Sequence, residues 1–114
     1  MDYNQRTIEL YSLLQKQPDG QDKILQVDQN LGGIFGRWDA DVTANLAKAI
    51  GAKVPEDDGK HDAASCIHRI NEIAKEAGFG PFADIDESDP EAVKKTVGEI
   101  TLSYLHAGLK RKRW

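Results

Sequence analysis

With 114 residues the chain has room for one hydrophobic core, since ordinary compact domains hold roughly 100 to 150 residues. Apolar side chains make up 39% of it and charged ones 30%, too apolar for general disorder and too polar for a membrane protein. The formal charge of −4 hides an asymmetry: Lys110, Arg111, Lys112 and Arg113 are consecutive, and the other 11 cations face 19 acidic side chains, so residues 1–109 carry −8.

No uncharged apolar run approaches the ~20 residues a membrane span requires, and the start, MDYNQRTIELY, does not follow the basic-then-apolar pattern of a secretion signal. Cys66 is the single cysteine. With no intramolecular disulfide available, stability must come from packing, and a reducing, cytoplasmic setting is expected.

The first segment, from about Asp2 to Lys16, places Ile8, Leu10, Tyr11, Leu13 and Leu14 at the three-and-four spacing of a helix face, and Pro18, Asp19 and Gly20 then stop it. A short second helix is expected over Gln21 to Leu31 on Ile24, Leu25, Val27 and Leu31, with a strand as the alternative. Gly32, Gly33 and Gly36 should break regular structure around Ile34 and Phe35. A third helix, capped by Asp39 or Asp41 and ended by Gly51, gathers Val42, Leu46, Ala49 and Ile50 on one side. Residues 52–60 read as a surface loop. A fourth helix, Asp62 to Ala77, uses Ile67, Ile70, Ile73, Ala74 and Ala77.

After a loop over Phe79 to Ser88, the last helix has the spacing of a capping box, Ser88 with Glu91, and Pro90 in its first turn. It should run to about Leu109, with residues 110–114 as a basic tail. No charged residue occurs from Ile100 through Leu109, whereas a surface helix would show a polar face there. That end is therefore expected at the centre of the bundle or in a subunit interface. Helical segments separated by short polar loops, with no alternating strand pattern, predict a single all-α domain, a small bundle of about four to five helices.

Several constellations invite chemistry. The carboxylates of Asp84-Ile85-Asp86-Glu87-Ser88-Asp89-Pro90-Glu91 resemble a calcium loop, but counting from Asp84 puts Asp89 where the loop needs glycine and Lys95 where it needs glutamate. Helix capping accounts better for these side chains. His61, Asp62, Cys66 and His68 form the densest set of transition-metal ligand types. On a helix Asp62 and Cys66 share a face while His68 diverges, so three ligands do not converge. A helix-start histidine, a buried cysteine and an exposed histidine are expected instead. No catalytic residue, cofactor or metal ligand is assigned.

Gly33-Ile34-Phe35-Gly36 has the literal GxxG form of a KH-type clamp. Its apolar middle favours a packed turn carrying Ile34, Phe35 and Trp38 inward. Asn71-Glu72-Ile73-Ala74-Lys75-Glu76-Ala77-Gly78 resembles the first helix and turn of helix-turn-helix repressors, which implies a recognition helix directly afterwards. The segment that follows is acidic, where phosphate and base contacts call for cations and amides.

These readings lead to a protein-binding module: an accessory subunit, inhibitor, immunity-type protein or regulator, using an acidic face toward a basic partner. Contact through Ile100, Leu102, Leu105, Leu109 and Trp114 is expected, including self-association as a homodimer. The alternative is a nucleic-acid-associated protein that uses Lys110, Arg111, Lys112 and Arg113, with Arg37, Lys94 and Lys95 as further cations. A small enzyme or metal-binding protein centred on His61, Cys66 and His68 is the third reading.

Overall fold

The computed structural model describes the backbone of residues 1–111 and the side chains of residues 1–108. Five helices follow one another: α1 (Tyr3–Leu14), α2 (Gly20–Ile34), α3 (Ala40–Ile50), α4 (Ala63–Glu76) and α5 (Pro90–Arg111). No strand occurs among the described residues, so the all-α bundle expected from periodicity is what forms. No helix among them is long and apolar enough to cross a membrane.

Local chemistry sets most boundaries. Asp2, Asp39 and Asp62 each turn a carboxylate back onto the first free backbone N–H groups of α1, α3 and α4, which satisfies donors that have no partner inside the helix. Gly51 ends α3 in a left-handed conformation at φ 72°, where a Cβ would be strained. The capping box expected from Ser88 and Glu91 does not form. Asp89, the residue directly before Pro90, accepts from Glu91 N at 3.0 Å, while the Ser88 hydroxyl donates to Asp86 at 2.6 Å. A carboxylate one residue nearer the helix wins the position.

The second helix departs most from expectation. It continues through Gly32 and Gly33 to Ile34, although both glycines looked like breakers. Tertiary packing explains it. A Cβ on Gly33 would lie 2.4 Å from Cys66 Sγ and 3.0 Å from Trp38 Cε3, so glycine here is the device that lets α2 lie against α4. These two helices share the most extensive contact in the fold.

Around that seam Leu10, Leu14, Val27, Ile67, Ile70, Phe82 and Ile100 are buried with Cys66 into one core. α1 lies along α5, joined by Tyr3 N donating to Ser103 Oγ and by a hydrogen bond between the Thr7 and Tyr104 hydroxyls. α3 sits at the margin, packed on α2, and buries only Thr43 and Ala47. Its apolar side is turned away from the core: Val42, Leu46 and Ile50 are 52%, 43% and 42% exposed. Phe35 also points outward, edge-on to the Tyr104 ring at 5.5 Å, whereas Ile34 is buried and Trp38 half-buried.

Gly33→Ala weighs two opposed effects. Alanine gains about 1 kcal/mol in helix propensity, and overpacking a sealed contact costs about 1–3 kcal/mol. Denaturant unfolding should therefore show net destabilisation. Adding Cys66→Ala, which removes the nearer obstructing atom, should recover part of the loss, so that the double-mutant cycle is non-additive.

Candidate functional site

Arg69, on α4, organises the surface above the α2–α4 seam. Its Nη1 donates to Asn30 Oδ1 at 3.1 Å, and its Nη2 donates to the Lys60 carbonyl at 2.8 Å and to the Asp58 carboxylate. The guanidinium also lies over the Trp38 ring, 5.6 Å from its centroid. His61 stacks on Trp38 at 4.2 Å and 16°, and its Nε2 is hydrogen-bonded to Asp57 at 2.7 Å. One arginine and one tryptophan thus hold residues 57–61 against the helices. The hydrogen bond from Arg69 lowers the Asp58 carboxyl to about 2, and that from His61 holds Asp57 below its usual range.

Beside this cluster a cleft of about 770 Å³ opens, lined by Asn30, Trp38 and Arg69 together with Lys53, Val54 and Glu56. Carboxylates predominate along it: Asp19, Asp22, Glu56, Glu72 and Glu76, against Lys23, Lys53 and Arg69. Asp22 accepts from Lys53 N at 2.9 Å, which fixes the segment after α3 to α2. Lys23 lies 3.8 Å from Glu76.

The residues singled out for chemistry do not converge. Cys66 is fully buried under Gly33 and Trp38, and burial raises its thiol to about 11, the reverse of what a nucleophile needs. His68 lies on the outer face of α4, paired with Glu87 at 2.7 Å, while His61 faces Trp38. Among the described residues no group of three or more His, Cys, Asp or Glu side chains is placed to hold a metal ion.

The 84–91 carboxylates work as structure. Asp86 and Asp89 cap their own turns, and Glu87 reaches back to α4. There Asn71, almost fully buried, donates to the Ala83 carbonyl at 2.9 Å and to Glu87 Oε1 at 2.8 Å, and accepts from Ala83 N at 2.8 Å. Arg6 clamps the same loop from α1, donating to the Pro81 and Phe82 carbonyls and covering the Phe79 ring. The helix-turn-helix geometry implied by Asn71–Gly78 is not built, because residues 77–89 separate α4 from the next helix.

On α5, Ile100 is fully buried and belongs to the core. Leu102 and Leu105 are 66% and 59% exposed and, with Met1 and His106, line a shallow groove of about 550 Å³. The side chains of Leu109, Lys110 and Arg111, and all of Lys112, Arg113 and Trp114, lie outside the described residues; the α5 backbone itself continues through Arg111, past the expected start of the tail. Arg37 is exposed at the end of α2, and Lys94 and Lys95 are exposed on α5.

Sequence reasoning missed the Arg69–Trp38–His61 cluster and the Asn71 clamp, since the partners lie up to 39 residues apart and carry no spacing signal. The outward apolar side of α3 was in view as a pattern but not as a surface. Comparison of the chain with models of protein families, with curated proteins and with solved structures finds no match.

Asn71→Ala should destabilise by about 2–4 kcal/mol, because it strands a buried N–H and a buried carbonyl of Ala83. Glu87 adds a pH signature. Burial pushes its carboxyl up, but hydrogen bonds from Asn71 and His68 outweigh this and leave it below the ordinary value of 4.5. A group depressed in the folded state stabilises above its unfolded pKa and loses that contribution as pH falls through the folded one. The gap in unfolding free energy between wild type and Glu87→Gln, about 1 kcal/mol near neutrality, should therefore close as pH is lowered below 4.5.

Proposed function

We propose that this protein is a protein-binding module, an accessory, inhibitory or regulatory partner, and that α3 presents its main contact surface. The observation that carries this reading is the outward apolar side of α3. A marginal helix normally turns its apolar stripe to the core, yet here Val42, Leu46 and Ile50 face solvent, and Val54, just beyond Gly51, is exposed as well. Exposed apolar side chains gathered on one side of a helix in this way mark association sites. The patch made by Met1, Leu102 and Leu105 offers a second, shallower contact.

The acidic charge of residues 1–109 supports the same reading, since it steers cationic partners toward the protein and keeps anionic polymers away. The chemistry fits a scaffold: a buried thiol raised in pKa, His61 and His68 engaged with carboxylates at the surface, and polar hubs that pin loops.

Cross-linking and affinity capture in the native cell should test it with three full-length chains: wild type, Val42→Asp with Leu46→Asp, and Leu102→Asp with Leu105→Asp. The α3 pair should lose the captured complex by at least about tenfold while its unfolding free energy changes by less than about 1 kcal/mol, because exposed positions contribute little to stability. An α3 pair that keeps the complex, or that fails to fold, would contradict the proposal.

A further inference from the structure

We infer that the partner presents a basic amphipathic helix, laid along the apolar stripe of α3 with its cations directed into the acidic cleft beyond the end of that helix. This rests on the protein-binding reading and specifies its surface and its partner's chemistry.

The shape of the surface comes first. Val42, Leu46 and Ile50 repeat every four residues on an α3 of 11 residues, about 16 Å of helix. Such a ridge accepts the facing ridge of another helix, read by anchors three and four apart. Gly51 then stops α3, and the hydrogen bond from Lys53 N to Asp22 folds the chain back along α2. Val54, four residues beyond Ile50, is exposed and lines the cleft, so the cleft begins where the chain leaves α3.

Charge selects the occupant. Of the cations along the cleft, Arg69 is held by Asn30, Lys60 and Asp58, Lys23 lies beside Glu76, and Lys53 is the one left without an ion pair among the described residues. Asp19 and Glu56 form no ion pair among the described residues, and Glu72 lies 4.0 Å from His68, which pairs more closely with Glu87. Three carboxylates against one lysine leave a net negative charge to meet incoming lysines or arginines. A second copy docked through this same face would bring the same carboxylates against these, and like charges facing each other across an interface cost affinity. Phosphates of a nucleic acid meet the same repulsion, as do the anionic headgroups of a lipid surface. A helix with leucine-type anchors flanked by cations satisfies both halves of the surface.

The test titrates isotope-labelled full-length protein with synthetic helical peptides of about 18 residues, long enough to overrun α3. One carries leucines at three-and-four spacing with lysines on both flanks, one replaces the lysines by glutamates, and one keeps the composition with the leucines scrambled. The basic amphipathic peptide should bind at micromolar concentration, with shift changes centred on Val42, Leu46, Ile50, Val54, Glu56 and Glu72. The other two should bind at least about tenfold more weakly. Leu46→Gln, and separately Glu56→Gln with Glu72→Gln, should each weaken binding about tenfold, the carboxylate pair also reducing its salt dependence.

Equal binding of the scrambled or acidic peptide, or shifts confined to another face, would overturn the inference. So would a dimer dissociated by Leu46→Gln, or a DNA oligonucleotide producing the same shifts. If no peptide binds while the cellular complex still depends on Val42 and Leu46, the helix chemistry is wrong and the protein-binding reading stands; if that complex is also indifferent to them, both fall.

Discussion

Gly33 and Cys66 touch across the α2–α4 seam with no room between them for a methyl group, and the rest of the structure follows from that closeness. Because the seam closes, Asn30 and Arg69 on the two helices come within hydrogen-bond distance, and Trp38 lies against Gly33 at the edge of the same contact. Trp38 and Arg69 in turn hold His61 and Asp58, so the long segment between α3 and α4 is tied down by side chains that the seam has placed. A larger residue at position 33 would open each of these contacts in sequence. The individual bonds are ordinary in strength; their dependence on one separation is what matters.

The same closeness shapes the surface. With α2 committed to α4 on one side and to α1 on another, α3 finds only a narrow strip of α2 to cover, and it does so with Thr43 and Ala47 rather than with its larger apolar residues. Small side chains let α3 approach closely but leave Val42, Leu46 and Ile50 uncovered. Apolar area left in water costs about 25 cal/mol per Å², so three such residues exposed on one helix are a cost that the proposed partner would remove. The polar hubs elsewhere, Asn71 and Arg6, serve a different end: they fix the loop between α4 and α5 and hold Phe82 in the core.

Much of the fold was legible residue by residue. The helix-forming stretches, an aspartate cap on α3 (Asp39 or Asp41 from the sequence, Asp39 in the structure) and the Gly51 stop depend on neighbours within four positions, and those signals read correctly. Gly32 and Gly33 misled because a glycine's local preference for irregular backbone is weaker than the packing it permits, and the packing partner, Cys66, lies more than 30 positions away. The Ser88 and Glu91 spacing misled for a smaller reason, a competing carboxylate at Asp89. The candidate surface was harder still. Periodicity says that Val42, Leu46 and Ile50 share a side; it does not say whether that side meets the core or the solvent, which is settled by how much of α2 is already occupied. On α5 the same ambiguity resolved both ways, with Ile100 inside and Leu102 and Leu105 outside.

Cys66 gives a direct probe of the seam, because it is the only thiol in the chain and is sealed beneath Gly33 and Trp38. The rate at which an alkylating or disulfide reagent modifies it, followed across low denaturant concentrations, measures what must open for the thiol to be reached. If the α2–α4 contact governs the fold, labelling should proceed only through global unfolding, with a denaturant dependence equal to that of the equilibrium transition. Modification in the absence of denaturant at a rate near that of a free thiol would show that the seam opens on its own, and would contradict the account.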